Sequence, residues 1–244
     1  MSHPNNKVSS SSVDNQEIEL IVGNSSSNFS GVTSTMLQVT SLQKHMINLR
    51  IMGKHFVPDP SMTITFWEVA KMCRRPLSNG KWRIFHARRV DEMIQGVILK
   101  YVFRAKIKLV FSSAAQRKRS ASTVWLSNKM DAVIAMSNRS AKYLNKPPAK
   151  INLHGVQIDN YTPAENKQEA WQALGYGGKY GIGILGRVRE QKGVHLFVEA
   201  CIKVLPKYPD VNAVVVGAIS SSNQEFVNEL KEKVSRAGLT DRIV

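Results

Sequence analysis

Short apolar runs of β type alternate with helical stretches along almost the whole chain, and this alternation admits few folds. Each strand–helix–strand step hides both faces of a strand under helices, which implies an α/β fold with a mostly parallel sheet. Residues 18–22 read as the first strand, followed by a polar loop over 24–30. Residues 31–50 read as a helix, because Met36, Val39, Leu42, Met46 and Leu49 recur near the 3.6-residue period. Strands follow at 82–85, 108–111 and 132–136, with an extended segment at 150–153. Helices are expected between them at 92–101, 116–128 and 137–144. Residues 53–60 carry no clear pattern and receive no assignment.

The alternation breaks at residues 160–178, which are polar and rich in Gly and Pro, Pro163 among them. These residues read as a linker between a first domain at 17–159 and a second at 179–244. The second restarts with a strand at 180–185, a helix at 193–207, a continuous apolar run at 211–216 and a helix at 224–237. A further strand begins at 241–244. The run at 211–216 resembles a strand buried on both faces. A doubly wound domain usually has five or more strands, so the second domain is expected to be incomplete, with a truncation at its carboxyl end. Residues 1–16 are Ser/Asn-rich and expected to be disordered, without the basic start and apolar stretch of a secretory signal. No stretch reaches the ~18 apolar residues of a membrane-spanning helix. The nearest, 97–111, is interrupted by Lys100, Arg104, Lys106 and Lys108.

Charge narrows the partners. The 244 residues hold 34 Lys and Arg against 18 Asp and Glu, a formal net charge of +16. An excess of that size favours an anionic partner: nucleic acid, a phosphate-rich ligand or an acidic membrane face. The excess is uneven, with residues 1–165 carrying 23 basic and 10 acidic side chains. Between Met93 and Met130 there is no acidic residue at all, while Lys100, Arg104, Lys106, Lys108, Arg117, Lys118, Arg119 and Lys129 accumulate. Nucleic acid is the less favoured partner, since aromatics make up only 7% and no recognition-helix, RRM or zinc-finger pattern occurs. Cys73 and Cys201 are too few and too distant in sequence for a disulfide framework or a zinc cluster, which suits a reducing compartment.

The sharpest motif is the stretch from Gly186 to Gly193, between a strand and an amphipathic helix. Gly186 allows a tight exit from the strand and Gly193 opens the helix. Arg187 and Lys192 can then converge on one anion beside a helix N-terminus. An arginine fork with a lysine point charge suits a diphosphate better than one carboxylate, although a solvated basic loop is the plainer alternative. Gly181, Gly183 and Gly186 match G-x-G-x-x-G literally, but they fall inside the strand and make no dinucleotide turn. In the first domain, His86, Arg88, Arg89 and Glu92 stand at the carboxyl end of a strand, a titratable imidazole, two guanidinium forks and a carboxylate at a cleft edge. A lone histidine at such a place is as often structural as chemical. Ser30, Gly31 and the hydroxyls Thr33 to Thr35 form either a simple helix cap or a loop that lets backbone approach a sugar or phosphate.

The tract from Gly186 and Arg187 to Lys192 and Gly193 resembles the donor-diphosphate motif of family 4 retaining glycosyltransferases. Residues 153–163 resemble that family's interdomain linker. Residues 30–35, the His86–Arg89 segment, 112–117 and 130–137 are together similar to the lipopolysaccharide-core mannosyltransferases of the α-proteobacteria. The resemblance implies a GT-B fold, with a Rossmann-like acceptor-side domain followed by a nucleotide-sugar donor domain. It implies a hexose donor, GDP-mannose above all, bound in the cleft between domains, with retention of configuration and no metal or other cofactor. Gly186, Arg187 and Lys192 would hold the diphosphate. Gly31, Arg88, Arg89 and Glu92 would line the acceptor side, with His86 catalytic. The acceptor would be a lipopolysaccharide core or related glycolipid, reached peripherally at the inner face of the cytoplasmic membrane. The family's Glu-x7-Glu motif is missing from these 244 residues, and Glu225 and Glu229, four apart, do not replace it. Weak or absent turnover is therefore expected, with a non-catalytic GT-B remnant that binds partners or membrane as the alternative.

Overall fold

The computed structural model describes residues 17–156 and 158–244; the N-terminal segment expected to be disordered lies outside the described residues. The chain divides into two compact units, Met1–Gln157 and Ile158–Val244.

Unit 1 is built on seven parallel strands: β1 (Leu20–Gly23), β2 (Leu49–Met52), β3 (Thr63–Ile64), β4 (Arg83–Ala87), β5 (Ile107–Ser113), β6 (Ala132–Ala135) and β7 (Lys150–Ile151). Their order is β3-β2-β1-β4-β5-β6-β7. Helices α1 (Gly31–Gln43), α2 (Phe66–Met72), α3 (Val90–Val97), α4 (Ala121–Asn128) and α5 (Asn138–Ala141) connect them. Alternation along β1 feeds two cores. Leu20 and Val22 pack with Met36, Leu49 and Ile51. Ile21 joins Phe85, Met93, Leu99, Ile107 and Leu109. Gly96 lets α3 approach the sheet closely, since a Cβ there would come within 2.9 Å of the Phe85 ring.

Local chemistry starts each helix where it starts. Ser30 caps α1 by accepting the Thr33 N–H at 3.4 Å. Thr65 and Glu68 close a reciprocal capping box on α2. Ser120 caps α4 by accepting the Thr123 N–H, and Ser137 closes a reciprocal box with Ser140 at the start of α5. Two sequence expectations are corrected. The helix expected to reach Arg50 ends at Gln43, with Leu42 and Met46 exposed. Leu49–Met52 is instead strand β2, in register with β1 from Leu20↔Leu49 to Gly23↔Met52. The helical period persisted past the true end because the last matching residues belong to a turn and a strand. Residues 61–81, left without elements above, supply β3 and α2.

Unit 2 pairs β8 (Tyr180–Leu185) with β9 (Val211–Val216) in parallel, and α7 (Val194–Val204) and α8 (Gln224–Arg236) share its core through Val198, Cys201, Val227 and Leu230. The apolar run at β9 is buried at Asn212, Ala213 and Val214 but opens toward Val216. Ile243 bridges to Ala213 in parallel sense, so the segment at 241–244 does begin to pair. The stretch read as a linker holds α6 (Lys167–Ala173), capped by Asn166. Trp171 of α6 lies where a side chain on Gly181 would stand, 2.2 Å from its Cβ position, and its Nε1–H donates to the Gly177 carbonyl at 2.9 Å. Glycine inside β8 thus makes room for an aromatic ring, which is why the literal glycine motif there is no nucleotide turn.

Candidate active site

The strand order of unit 1 reverses between β1 and β4: the backbone runs from β1 out to β3, then from β4 out to β7. Open parallel sheets bind ligands in the crevice outside the carboxyl ends of the strands at such a reversal. The residues singled out at 24–31 and 86–92 follow those two strands. Among the described residues, a cavity of about 480 Å³ opens there. Ser30, Gly31, Val32 and Thr35 of the α1 start line one part, and Arg88, Ser112, Ala114, Met136 and His154 the rest.

Arg88 is the cation of this cavity. Burial lowers its pKa below the ordinary guanidinium value, opposed by the Glu92 charge, and its Nη1 is buried without a hydrogen-bond partner. The α1 N-terminus across the cavity adds a favourable field for negative charge. The combination suits an anionic or hydroxyl-rich group.

His86 stands one bond behind the cavity. Its Nε2 lies 2.7 Å from Ser112 Oγ, and Ser112 rather than His86 is among the lining residues. Burial, with the Arg88 charge second, pushes the imidazole down to about 3. The ring is therefore neutral at pH 7 and orients the Ser112 hydroxyl. Because the folded pKa lies below the ordinary value of about 6.5, the unfolded state binds the proton first. His86 thus favours folding above pH 6.5, and this contribution is lost as pH falls from 6.5 toward 3. His86→Asn is expected to flatten the acid side of the stability profile within this window, in urea melts repeated across pH. Parallel profiles for the two proteins would contradict the buried neutral imidazole.

Glu92 and Arg89 are corrected from the expected cleft lining. Glu92 is fully buried. Its carboxylate accepts from the Arg88 N–H at 2.7 Å, the Arg89 N–H at 3.1 Å and Arg89 Nη1 at 2.9 Å. Arg89 Nη2 goes on to donate to Ser30 Oγ at 3.1 Å and Thr33 Oγ1 at 2.8 Å. The pair ties the start of α3 to the start of α1 and so holds the cavity wall; neither residue is among its lining. Gly23 accommodates this carboxylate, since a Cβ there would sit 3.0 Å from Glu92 Cγ.

Ser112 and His154 carried no assigned role in the sequence, although both lie inside motifs that were singled out. Their only sequence signal was position just after a strand. Arg119, counted above as surface charge, lies over the Phe111 ring at 5.2 Å and donates to Ser113 Oγ.

In unit 2 the loop from Gly186 to Gly193 leaves the carboxyl end of β8 and enters α7. Gly186 has φ +143° and Gly193 φ +74°, the latter as the N-cap of α7, so both glycines do the backbone work expected of them. Gly186 N–H donates to Val216 at 2.9 Å and Val188 N–H to Ala218 at 3.1 Å, binding this loop to the end of β9. That approach requires Gly217, whose Cβ would stand 1.7 Å from the Gly186 carbonyl oxygen. Val188 anchors the loop in the unit 2 core, while Arg187 and Lys192 are exposed on it beside the α7 N-terminus. Glu225 and Glu229 are exposed on α8, a solvated surface as their spacing implied.

Two α/β units, each with a glycine-bearing or cap-bearing loop at its strand ends, fit the GT-B fold. Anabaena HepE, solved in complex with UDP and glucose, superposes with a TM-score of 0.67 over 93% of this chain and 68% of that one, at 18% identity, a likeness of fold. The lipopolysaccharide core biosynthesis mannosyltransferase LpsB of Rhizobium meliloti (strain 1021) is 38% identical over 234 residues, 95% of this chain and 66% of the relative. Its counterpart LpcC of Rhizobium leguminosarum bv. viciae is 39% identical over 233 residues, 95% of this chain and 65% of the relative. The sequence is thus similar, over nearly all of its own length, to lipopolysaccharide-core mannosyltransferases. It spans just under two thirds of the length of these curated relatives. No family model matches it.

Proposed function

We propose that this protein transfers a hexose, mannose by its relatives, from a nucleotide sugar to a lipopolysaccharide core or related glycan, with retention of configuration. The observation that carries the reading is the β8–loop–α7 element of a mannosyltransferase homologue, with Arg187 and Lys192 beside a helix N-terminus. Positive charge and aligned N–H groups at that place stabilise the negative charge that builds on a departing nucleoside diphosphate. GDP-mannose is the donor, and no metal or other cofactor takes part. In unit 1, Arg88, Ser112 and the Ser30–Gly31 turn hold the acceptor-side ligand, with His86 orienting Ser112. The protein works at the inner face of the cytoplasmic membrane, in peripheral contact with anionic lipid. Among the described residues no helix is long and apolar enough to cross a membrane. The 244 residues by themselves turn over weakly or not at all, since they hold no Glu-x7-Glu pair for the donor sugar.

Thermal melting with GDP-mannose, UDP-glucose and ADP-glucose tests the donor reading. One nucleotide is expected to raise the melting temperature above the other two. No shift with any of them would leave the non-catalytic remnant as the better account. Gel shift with random duplex DNA at ~150 mM salt is expected to show no complex, because phosphate contacts without base or stacking contacts are strongly weakened by salt.

A further inference from the structure

A second cavity of unit 1, about 460 Å³ in volume, takes no part in the reaction described above. Asn24, Ser25, Lys54, His55, Thr65 and Gln95 are its polar lining, at the carboxyl ends of β1, β2 and β3. Asn24 and Ser25 begin the loop over 24–30, whereas Ser30 at the end of that loop lines the first cavity. Close backbone packing holds the walls. Asn24 N–H donates to the Met52 carbonyl at 3.0 Å and Gly53 N–H to the Ile64 carbonyl at 3.3 Å. Gly53 has φ +122°, and a Cβ there would stand 2.1 Å from the Asn24 carbonyl oxygen, so glycine lets the two strand ends meet.

Two acceptors of this cavity have nothing to accept. Asn24 is 1% exposed, and its Nδ2 donates to the His55 carbonyl at 2.8 Å. That bond fixes the orientation of the amide and leaves Oδ1 buried without a partner. Gln95 comes to the same cavity from α3, and its Oε1 is also buried without a partner. A buried carbonyl oxygen without a donor is costly, and most in native proteins are satisfied. Two at one cavity point to donors that the protein itself does not supply.

The chemistry of the lining selects the ligand class. A carboxylate brings only lone pairs to two carbonyl oxygens. A polyamine would meet the Lys54 ammonium. A nucleobase stacks on an open aromatic face, but the Phe66 ring of this lining is packed edge-to-face with Trp67 and Phe103, at 5.4 and 5.7 Å. Sugar hydroxyls donate and accept at once, so they satisfy both carbonyls and take a hydrogen bond from Lys54 in return.

We propose that this cavity is a saccharide subsite, which binds a neutral, hydroxyl-rich sugar unit through Asn24 Oδ1, Gln95 Oε1 and Lys54 Nζ. Within the transferase reading, on which it rests only for its biological sense, this unit is a sugar of the acceptor other than the one that receives the hexose. The binding itself stands without that reading.

The test follows the side-chain amide signals of Asn24 and Gln95 in nitrogen–proton NMR spectra of the 244-residue protein. D-Mannose, D-glucose and D-galactose are each titrated to about 50 mM, enough to detect millimolar affinity. At least one sugar is expected to shift both signals saturably, while acetate, spermidine and adenosine do not. Gln95→Met keeps the length of the side chain and removes the carbonyl. It should lower sugar affinity about tenfold and leave the urea midpoint unchanged or raised, since a carbonyl without a partner stabilises nothing in the unliganded protein. Lys54→Ala, at an exposed position, should lower affinity about threefold without altering folding. Absence of any sugar shift, an equal response to adenosine or spermidine, or Gln95→Met affinity equal to the parent's would overturn the proposal. So would a Gln95→Met midpoint well below the parent's, which would make the amide a structural group. The melting shift with GDP-mannose reads the diphosphate loop separately and should be unchanged in both variants. Sugar binding without any nucleotide-sugar shift would leave the subsite standing and count against the transferase reading alone.

Discussion

Glu92→Leu is expected to destabilise unit 1 by about 3–5 kcal/mol, the usual result of removing one member of a buried ion pair. The carboxylate is fully buried and satisfies two backbone N–H groups as well as Arg89. Its loss leaves the Arg89 guanidinium, whose side chain is 17% exposed, without its counter-charge, and leaves the Arg88 and Arg89 N–H groups without an acceptor. Glu92→Gln keeps one acceptor oxygen and should cost less, about 1–3 kcal/mol. Urea unfolding of the 244-residue protein, with amide exchange assigning the transition to each unit, reads both effects. Unit 2 should unfold as before. A Glu92→Leu midpoint equal to the parent's would show that the carboxylate does not hold α1 and α3 together. The double variant Glu92→Leu with Arg89→Leu should recover part of the loss, because contacting residues are not additive.

The second large effect belongs to the diphosphate loop. Arg187→Ala and Lys192→Ala are each expected to weaken nucleoside diphosphate binding by about ten- to a hundredfold, since a charge-assisted hydrogen bond contributes about 1.5–3 kcal/mol. Arg187→Lys should restore only part of the affinity, because an ammonium cannot form the two parallel bonds of a guanidinium. Isothermal titration with GDP, UDP and ADP measures this directly. Lys192 is exposed and sits outside the unit 2 core, so the unliganded melting temperature of Lys192→Ala should not move. Unchanged affinity in both alanine variants would remove the loop from the donor site.

Much of the architecture was legible because it rests on local patterns. Strands β8 and β9 match their expected limits at both ends, since apolar runs bounded by glycine, proline or charge leave little freedom. The helix expected from residue 137 does begin there, with Ser137 as the cap of α5. The Gly186–Gly193 loop was legible for the same reason: two glycines between a strand and a helix are a local requirement. What was missed is non-local. Strand β2 was hidden in an extended helical period, and only its pairing with β1 reveals it. Segment α6 looked like a linker because its one large apolar residue, Trp171, finds its partner only when Gly181 of β8 comes beneath it.

The sequence alone established the α/β class, the two-unit organisation, the basic first unit and the strand–loop–helix carrying Arg187 and Lys192. All of these follow from periodicity, charge and backbone freedom, which act between residues close together along the backbone. The tertiary structure decided what the polar residues do. It buried Glu92 among donors from Ser25, Arg88 and Arg89, set the His86 imidazole behind Ser112, and brought His154 to the cavity from 66 residues beyond Arg88. Burial and counter-charge are properties of neighbours in space, so a carboxylate that reads as a reagent in the sequence can turn out to be a tie between two helices.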